Sequence, residues 1–302
     1  MKSENILCIG ECMVEMAPRE DGAYMRGFAG DTFNSAWYLA KLLPKSFTVD
    51  YFTGAGTDAV SDEMLAFMEN AGVGTSTIRR ISDRTVGLYM IALKNGERSF
   101  SYWRGQSAAK LLAADRAALS AAVKDKGLIL FSGITMAVVN AEDRQTLFEV
   151  LAEARAAGTT IAFDPNMRLR LWPSREVMAE TIMQAAEVSD IVLPSFDEDG
   201  SIFGDKTPEA TIARYRAKGV KTVIVKNGVD TIYAEDEVAG PLTYQPVPAE
   251  SVVDTTAAGD SFNAGLITAL MTGAGLADAI ERGATLSSRV IGARGALVPE
   301  AL

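Results

Sequence analysis

One short stretch carries most of the chemistry in this chain: Asp254-Thr255-Thr256-Ala257-Ala258-Gly259-Asp260-Ser261-Phe262-Asn263-Ala264-Gly265. Small residues stand directly before a helix-like apolar run, Phe262 to Met271. The first turn of such a helix offers unpaired backbone N–H groups and the positive end of the dipole. Ala257, Ala258 and Gly259 have little side chain to obstruct an anion, so the turn suits a phosphate. Asp260 would repel that anion, unless its task is to take a proton from a hydroxyl attacking the phosphorus. Turn, helix start and carboxylate together point to phosphoryl transfer. An ordinary helix opened by Asp260 accounts for the same residues, so the rest of the chain must decide.

Other polar groups sit where a ligand would meet them. Ala29-Gly30-Asp31-Thr32-Phe33-Asn34 precedes a helix; Gly30 permits close approach to the backbone, and Asp31 and Asn34 suit hydroxyl groups. Phe163-Asp164-Pro165-Asn166-Met167-Arg168 follows a buried strand, which predicts that Asp164, Asn166 and Arg168 reach the crevice at the strand ends. Val86–Leu93 and Ser99–Trp103 flank Lys94-Asn95-Gly96-Glu97, a hairpin signal, and carry Tyr89, Tyr102 and the adjoining Arg104. Tyr89 and Tyr102 present phenolic hydroxyls or simply shield the sheet. Arg104 and Arg168 supply positive charge that the chain otherwise lacks, and planar guanidinium donors match a carboxylate. Pro194-Ser195-Phe196-Asp197-Glu198 reads equally as a serine-started helix or as a polar strand end.

Gly54-Ala55-Gly56-Thr57-Asp58-Ala59 is a loose dinucleotide fingerprint, which would make the chain an oxidoreductase. The acidic residue that should close the next strand is missing from Thr75–Ile81, so a tight strand-to-helix turn explains these glycines more simply.

The elements that must position these groups alternate. Strand-like runs are Asn5–Ile9, Val49–Thr53, Gly127–Phe131, Thr160–Phe163, Ile191–Leu193 and Thr222–Val225. Helix-like runs are Thr32–Leu43, Asp62–Ala71, Ala141–Ala157, Arg175–Glu187, Pro208–Lys218, Gly259–Thr272 and Leu276–Ile291. Alternation of this kind predicts an α/β fold, a mostly parallel sheet with helices on both faces. Two regions, about 11–29 and 85–105, break the rhythm and read as a small antiparallel sheet standing off the main body.

Composition narrows the function. With 302 residues, 48% hydrophobic, the chain can bury a large core. A net charge of −10 argues against non-specific nucleic-acid or acidic-membrane binding. No apolar run is long enough to span a bilayer, and the start of the chain does not read as a secretory signal, so a cytoplasmic location is expected. Cys8 and Cys12 are the only cysteines and read as buried thiols. The chain has no histidine, which excludes histidine bases and histidine metal sites.

The Asp254–Phe262 run resembles the C-terminal signature of the ribokinase-like (PfkB-type) carbohydrate kinases, D-T-x-G-A-G-D-x-F, with Ala257 where the first glycine stands. Ala29–Asn34 resembles the family's N-terminal G-G-x-x-x-N, with Ala29 replacing its first glycine. The two signatures lie in the right order, and the resemblance extends from Gly10 to about Gly295. It implies a single ribokinase-like domain, a three-layer sandwich with a β lid from about 11–29 and 85–105. It implies ATP and Mg²⁺, with Asp260 as general base and Ala257, Ala258 and Gly259 forming the anion turn. It places the sugar against Gly30, Asn34, Tyr89, Tyr102, Arg104 and Arg168. It places ATP against Asn166, Ser195, Lys226, Gly228 and Gly259, with Gly283–Gly295 walling the adenine. Glu198 matches the glutamate that holds Mg²⁺ through water, although Ser195 replaces the usual asparagine. Within the family, the lid residues and Asp164–Arg168 most resemble the 2-keto-3-deoxygluconate kinases, implying a sugar-acid substrate. A neutral-sugar kinase of fructokinase or ribokinase type and a non-catalytic sugar-binding protein are the alternatives. Lid sheets in this family often pair between subunits, so the resemblance allows a homo-oligomer through the lid sheet and leaves the oligomeric state open.

Overall fold

A computed structural model describes residues 3–19, 21–94 and 97–302, and the Asn95-Gly96 hairpin centre lies outside them. In chain order the strands are β1 (Asn5–Ile9), β2 (Met13–Pro18), β3 (Tyr24–Ala29), β4 (Thr48–Phe52), β5 (Gly54–Ala55), β6 (Arg79–Arg80), β7 (Leu88–Lys94) and β8 (Glu97–Trp103). They continue with β9 (Leu128–Ser132), β10 (Thr160–Asp164), β11 (Ile191–Val192), β12 (Thr222–Val225), β13 (Ile232–Asp236) and β14 (Gly240–Tyr244). The helices are α1 (Asp31–Leu42), α2 (Ala59–Asn70), α3 (Arg116–Val123), α4 (Gly133–Val138) and α5 (Ala141–Ala156). After them come α6 (Arg175–Glu187), α7 (Phe196–Phe203), α8 (Pro208–Arg216), α9 (Ala258–Met271) and α10 (Leu276–Val290).

The main sheet runs β14-β13-β12-β11-β10-β9-β1-β4. Every pairing from β4 to β12 is parallel, and β13 and β14 add an antiparallel edge. Along β1 the side chains alternate between two cores. Ile6 and Cys8 pack with Phe33, Met64, Leu266 and Ile280 from α1, α2, α9 and α10. Leu7 and Ile9 pack with Leu119, Leu151, Ile182 and Ile212 from α3, α5, α6 and α8. Burial on both faces is why these strands read as continuous apolar runs.

A second sheet, ordered β3-β2-β7-β8, stands apart. It consists of two antiparallel hairpins whose inner strands, β2 and β7, pair in parallel. A small cluster of Met13, Ala29, Tyr89, Ile91 and Ala296 ties it to the main body.

Differences from the sequence reading have local causes. Helix α2 begins three residues before Asp62, because the Asp58 carboxylate accepts from the Val60 and Ser61 N–H groups and caps it earlier. Asp58 and the Gly54-Ala55-Gly56 segment therefore form a strand-to-helix turn. Helices α3 and α4 are each too short to show a period. The β13–β14 hairpin escaped notice because its strands are only partly buried and weakly apolar.

The centre of the sheet sets stability. Phe131 is fully buried, stacked on Phe163 with ring centroids 4.8 Å apart. Phe131→Ala should cost about 3–5 kcal/mol, read as a lower urea midpoint at unchanged slope. A loss below about 1 kcal/mol would show that the core closes over the gap.

Candidate active site

Five chain segments end at one cleft, at the C-terminal edge of the parallel strands. The turn before α1 brings Gly30, Asp31 and Asn34; the end of β10 brings Asp164, Asn166 and Arg168; the link from β11 brings Ser195 and Glu198. The end of β12 brings Lys226, and the start of α9 brings Ala257 to Asp260. The second sheet closes the mouth with Tyr89, Tyr102 and Arg104. All of these were named from sequence. Gly228 is the exception: it lies in the turn after β12, with φ +59°, and does not line this cleft.

The anion turn is held from three sides. Asp254, buried, accepts from the Thr256 and Gly295 N–H groups at 3.0 and 2.7 Å. The Ala258 N–H donates to the Thr255 carbonyl, and Ser287 of α10 donates to the Ala258 carbonyl at 2.9 Å. The Gly259 and Asp260 N–H groups belong to the first helical turn, which has no intrahelical partners. A side chain at Gly259 would meet Lys226 Nζ at 3.4 Å, so the lysine stands beside this turn.

Ala257 occupies the left-handed region, φ 60°, at the N-cap of α9. Sequence alone shows only that this alanine stands where the family signature has glycine. Its real cost is backbone strain, since a Cβ disfavours this conformation. Gly30 is required for a different reason: its backbone is extended, and a Cβ would meet the Glu11 carbonyl oxygen at 2.1 Å.

Three aspartates crowd together, one of them against Lys226. Asp260 accepts from Asn34 Nδ2 at 2.8 Å, and its carbonyl accepts from Ser35 Oγ. Asp31 accepts from Asn166 Nδ2 at 2.9 Å. Asp164 accepts from Asn263 Nδ2 at 2.7 Å and faces Lys226 Nζ at 3.3 Å. Asp260 opens onto the cleft but is deeply surrounded by protein. Burial, with the Asp31 and Asp164 charges, pushes its pKa up to about 8, against the pull of Asn34 and Lys226. Asp31 moves up as well, chiefly through burial.

The arginines are not the loose positive charges expected from sequence. Arg104 pairs with Glu11, both largely buried, and Glu11 also accepts from Ser107. Arg168 pairs with Glu198, whose other oxygen accepts from the Met167 N–H at 2.9 Å. Burial alone would lower the Arg168 pKa, but Glu198 outweighs it and raises it. Tyr89 and Tyr102 face one side of the sheet as a registered pair with stacked rings. Tyr89 donates to Glu15, and Arg170 donates to Tyr102. Ser195 occupies the N-cap position of α7, yet its hydroxyl makes no cap bond, so the capping role does not hold. Glu11, Asp254 and Arg170 complete the site without having been given roles from sequence. Asp254 already stood in the C-terminal signature run, and the stretch of resemblance from Gly10 onward takes in Glu11; Arg170 had no signal.

A second cleft, about 620 Å³, lies along α10, lined by Thr285, Ser288, Arg289 and Gly292 with Tyr244 and Val247 opposite. Ser287, which holds the anion turn, is the neighbour of Ser288, so this cleft flanks the turn on the Gly283–Gly295 segment expected from sequence. Among the described residues no three carboxylate or cysteine side chains form a metal cluster.

The pattern that defines the pfkB family carbohydrate kinases matches residues 3–301. The chain is 40% identical to the 2-dehydro-3-deoxygluconokinase of Escherichia coli (strain K12), over 98% of each chain. It is 37% identical to that of Dickeya dadantii (strain 3937), over 99% of this chain and 98% of the other. It superposes on a PfkB protein from Polaromonas sp. JS666 with a TM-score of 0.82 and 29% identity, covering 95% of this chain and 96% of the other. The chain belongs to the pfkB family of carbohydrate kinases.

Two stability measurements check this geometry. Ala257→Gly should relieve the left-handed strain and raise stability by about 1 kcal/mol; no gain would mean that packing of the methyl group outweighs it. Asp260 with a raised pKa stays protonated in the fold while the unfolded chain ionises, so wild-type stability falls as pH rises from about 4 to 8. Asp260→Asn removes this penalty. Its melting temperature should exceed the wild type's by a margin that widens up to pH about 8 and then levels. A margin independent of pH would contradict the raised value.

Proposed function

We propose, from membership in the pfkB carbohydrate kinases, that this chain transfers the γ-phosphate of ATP to the 6-hydroxyl of 2-keto-3-deoxygluconate. This is the compound also called 2-dehydro-3-deoxygluconate. The observation that carries the reading is the end-to-end match to enzymes named for that substrate; the arginine-rich cleft supports it. The sugar acid lies between the strand ends and the second sheet, which acts as a lid. Gly30, Asn34, Tyr89 and Tyr102 meet its oxygens, and Arg104 and Arg168 donate to its carboxylate. The ATP phosphates approach the Gly259 and Asp260 amides, with Lys226, Asn166 and Ser195 beside them. The adenine takes the cleft along α10. A Gly228 contact would have to come from its turn outside the main cleft.

Asp260 accepts the proton of the attacking hydroxyl. A base with a pKa near the working pH is well matched to this, because it is both substantially ionised and strongly basic. Asn34 fixes the carboxylate's direction. Positioning and preorganised N–H donors supply most of the rate, as phosphoryl transfer requires. Glu198 is engaged by Arg168 and the Met167 N–H, which suits a Mg²⁺ held mainly by phosphate oxygens and water, with Glu198 at one remove. Such an ion, when bound, neutralises charge on the phosphoryl group. The lid excludes water and so limits ATP hydrolysis.

The test is ADP release with Mg-ATP and a panel of sugars. A strong preference for 2-keto-3-deoxygluconate over fructose, ribose and gluconate is expected; preference for a neutral sugar would overturn the substrate assignment. Asp260→Asn should lower kcat by about 10²–10⁴ with little change in sugar affinity. For the wild type, kcat/KM should rise with pH towards a plateau above pH about 8, because only the ionised carboxylate accepts the proton. Near-wild-type turnover in the variant would remove Asp260 as the base.

A further inference from the structure

The charges around the main cleft do not balance in the way that two arginines facing an acid would suggest. Its lining carries the carboxylates of Glu11, Asp31, Asp164, Glu198 and Asp260 and the cations of Arg104, Arg168, Arg170 and Lys226. Arg104 is paired with Glu11, Arg168 with Glu198 and Lys226 with Asp164. Arg170 has no carboxylate partner among the described residues. Its contacts are both with Tyr102: a hydrogen bond to the phenolic oxygen, and a guanidinium 4.5 Å from the ring centroid. Arg104 stands 5.9 Å from the same ring, so two guanidinium groups share one phenol.

We propose that Arg170 is the residue that makes the cleft select an acid over a neutral sugar, by pairing with the substrate carboxylate beside Tyr102. The proposal rests on the sugar-acid reading of the site. An anion entering a cleft whose other cations are already neutralised gains attraction chiefly from the one that is not. Arg104 and Arg168 can donate to the same carboxylate, but each shares its charge with a glutamate, so neither adds net positive charge to the cleft. Arg170 is held only by an uncharged partner, through its hydrogen bond to the Tyr102 hydroxyl and its place over that ring, and its side chain is exposed. It sits in the short 3₁₀ turn Leu169–Leu171, directly after the Asp164–Arg168 strand end, and reaches from the main body to the lid strand β8. A carboxylate placed there would be held from both sides, by Arg170 of the body and by Tyr102 of the lid.

The test compares wild type, Arg170→Gln and Arg170→Lys as full-length proteins, with 2-keto-3-deoxygluconate and with its uncharged amide. Wild-type turnover of the acid checks the substrate reading first; its absence with every sugar acid would overturn that reading and this one together. Given that turnover, Arg170→Gln should raise KM for the acid about 10- to 100-fold, the loss expected for one charge-assisted hydrogen bond, with kcat and the KM for ATP nearly unchanged. The preference for acid over amide should largely vanish in Arg170→Gln and partly return in Arg170→Lys. A KM for the acid within about twofold of wild type would overturn the proposal. So would a loss shared equally by acid, amide and ATP, which would make Arg170 a structural latch between body and lid.

Discussion

The rest of the site is arranged around the crowding of Asp260, Asp31 and Asp164 against the single ammonium of Lys226. Three carboxylates so close cannot all be comfortably ionised. The fold spends four separate strand and helix ends to bring them together, and it offsets the repulsion with amide donors from Asn34, Asn166 and Asn263. The outcome is a carboxyl group that holds its proton more tightly than usual, at the start of a helix whose N-cap makes no side-chain hydrogen bond. The proposed base and the proposed anion site can share one turn because the Asp260 carboxyl is not a full negative charge in the resting protein. The same crowding would make Asp260 a better acceptor in its proposed role as base.

The second sheet solves a different problem. Glu11 and Arg104 stand where the chain leaves and returns to the main body, and their buried pairing fixes the two ends of the lid against each other. Gly30 admits the Glu11 backbone closely on the same side. Compensated arginines of this kind position groups without making the cleft strongly cationic.

Much of this was legible in the residues. The buried strands read correctly because parallel strands covered on both faces must be apolar throughout, and the start of α9 read correctly because small residues stand directly before an apolar run. Asp260, Asn34, Lys226, Tyr89 and Tyr102 reach one cleft as their positions at element ends implied. What stayed hidden depends on pairing across the fold. Arg104 and Arg168 look like free cations in sequence, since Glu11 and Glu198 meet them only in three dimensions. Gly228 belongs to a turn pointing elsewhere. Ala257 reads as a harmless replacement for glycine until its φ is known. Arg170 is an unremarkable arginine in sequence, and only the pairing of its neighbours sets it apart.

The account's central claim, that burial and neighbouring carboxylates raise the Asp260 pKa, can be tested directly. Carbon-13 NMR of aspartate side-chain carboxyls, titrated in the wild type and assigned by the signal lost in Asp260→Asn, reads that proton itself. The account predicts a carboxyl that titrates near pH 8, several units above an ordinary aspartate. A signal titrating at about 4, the ordinary aspartate value, would contradict it.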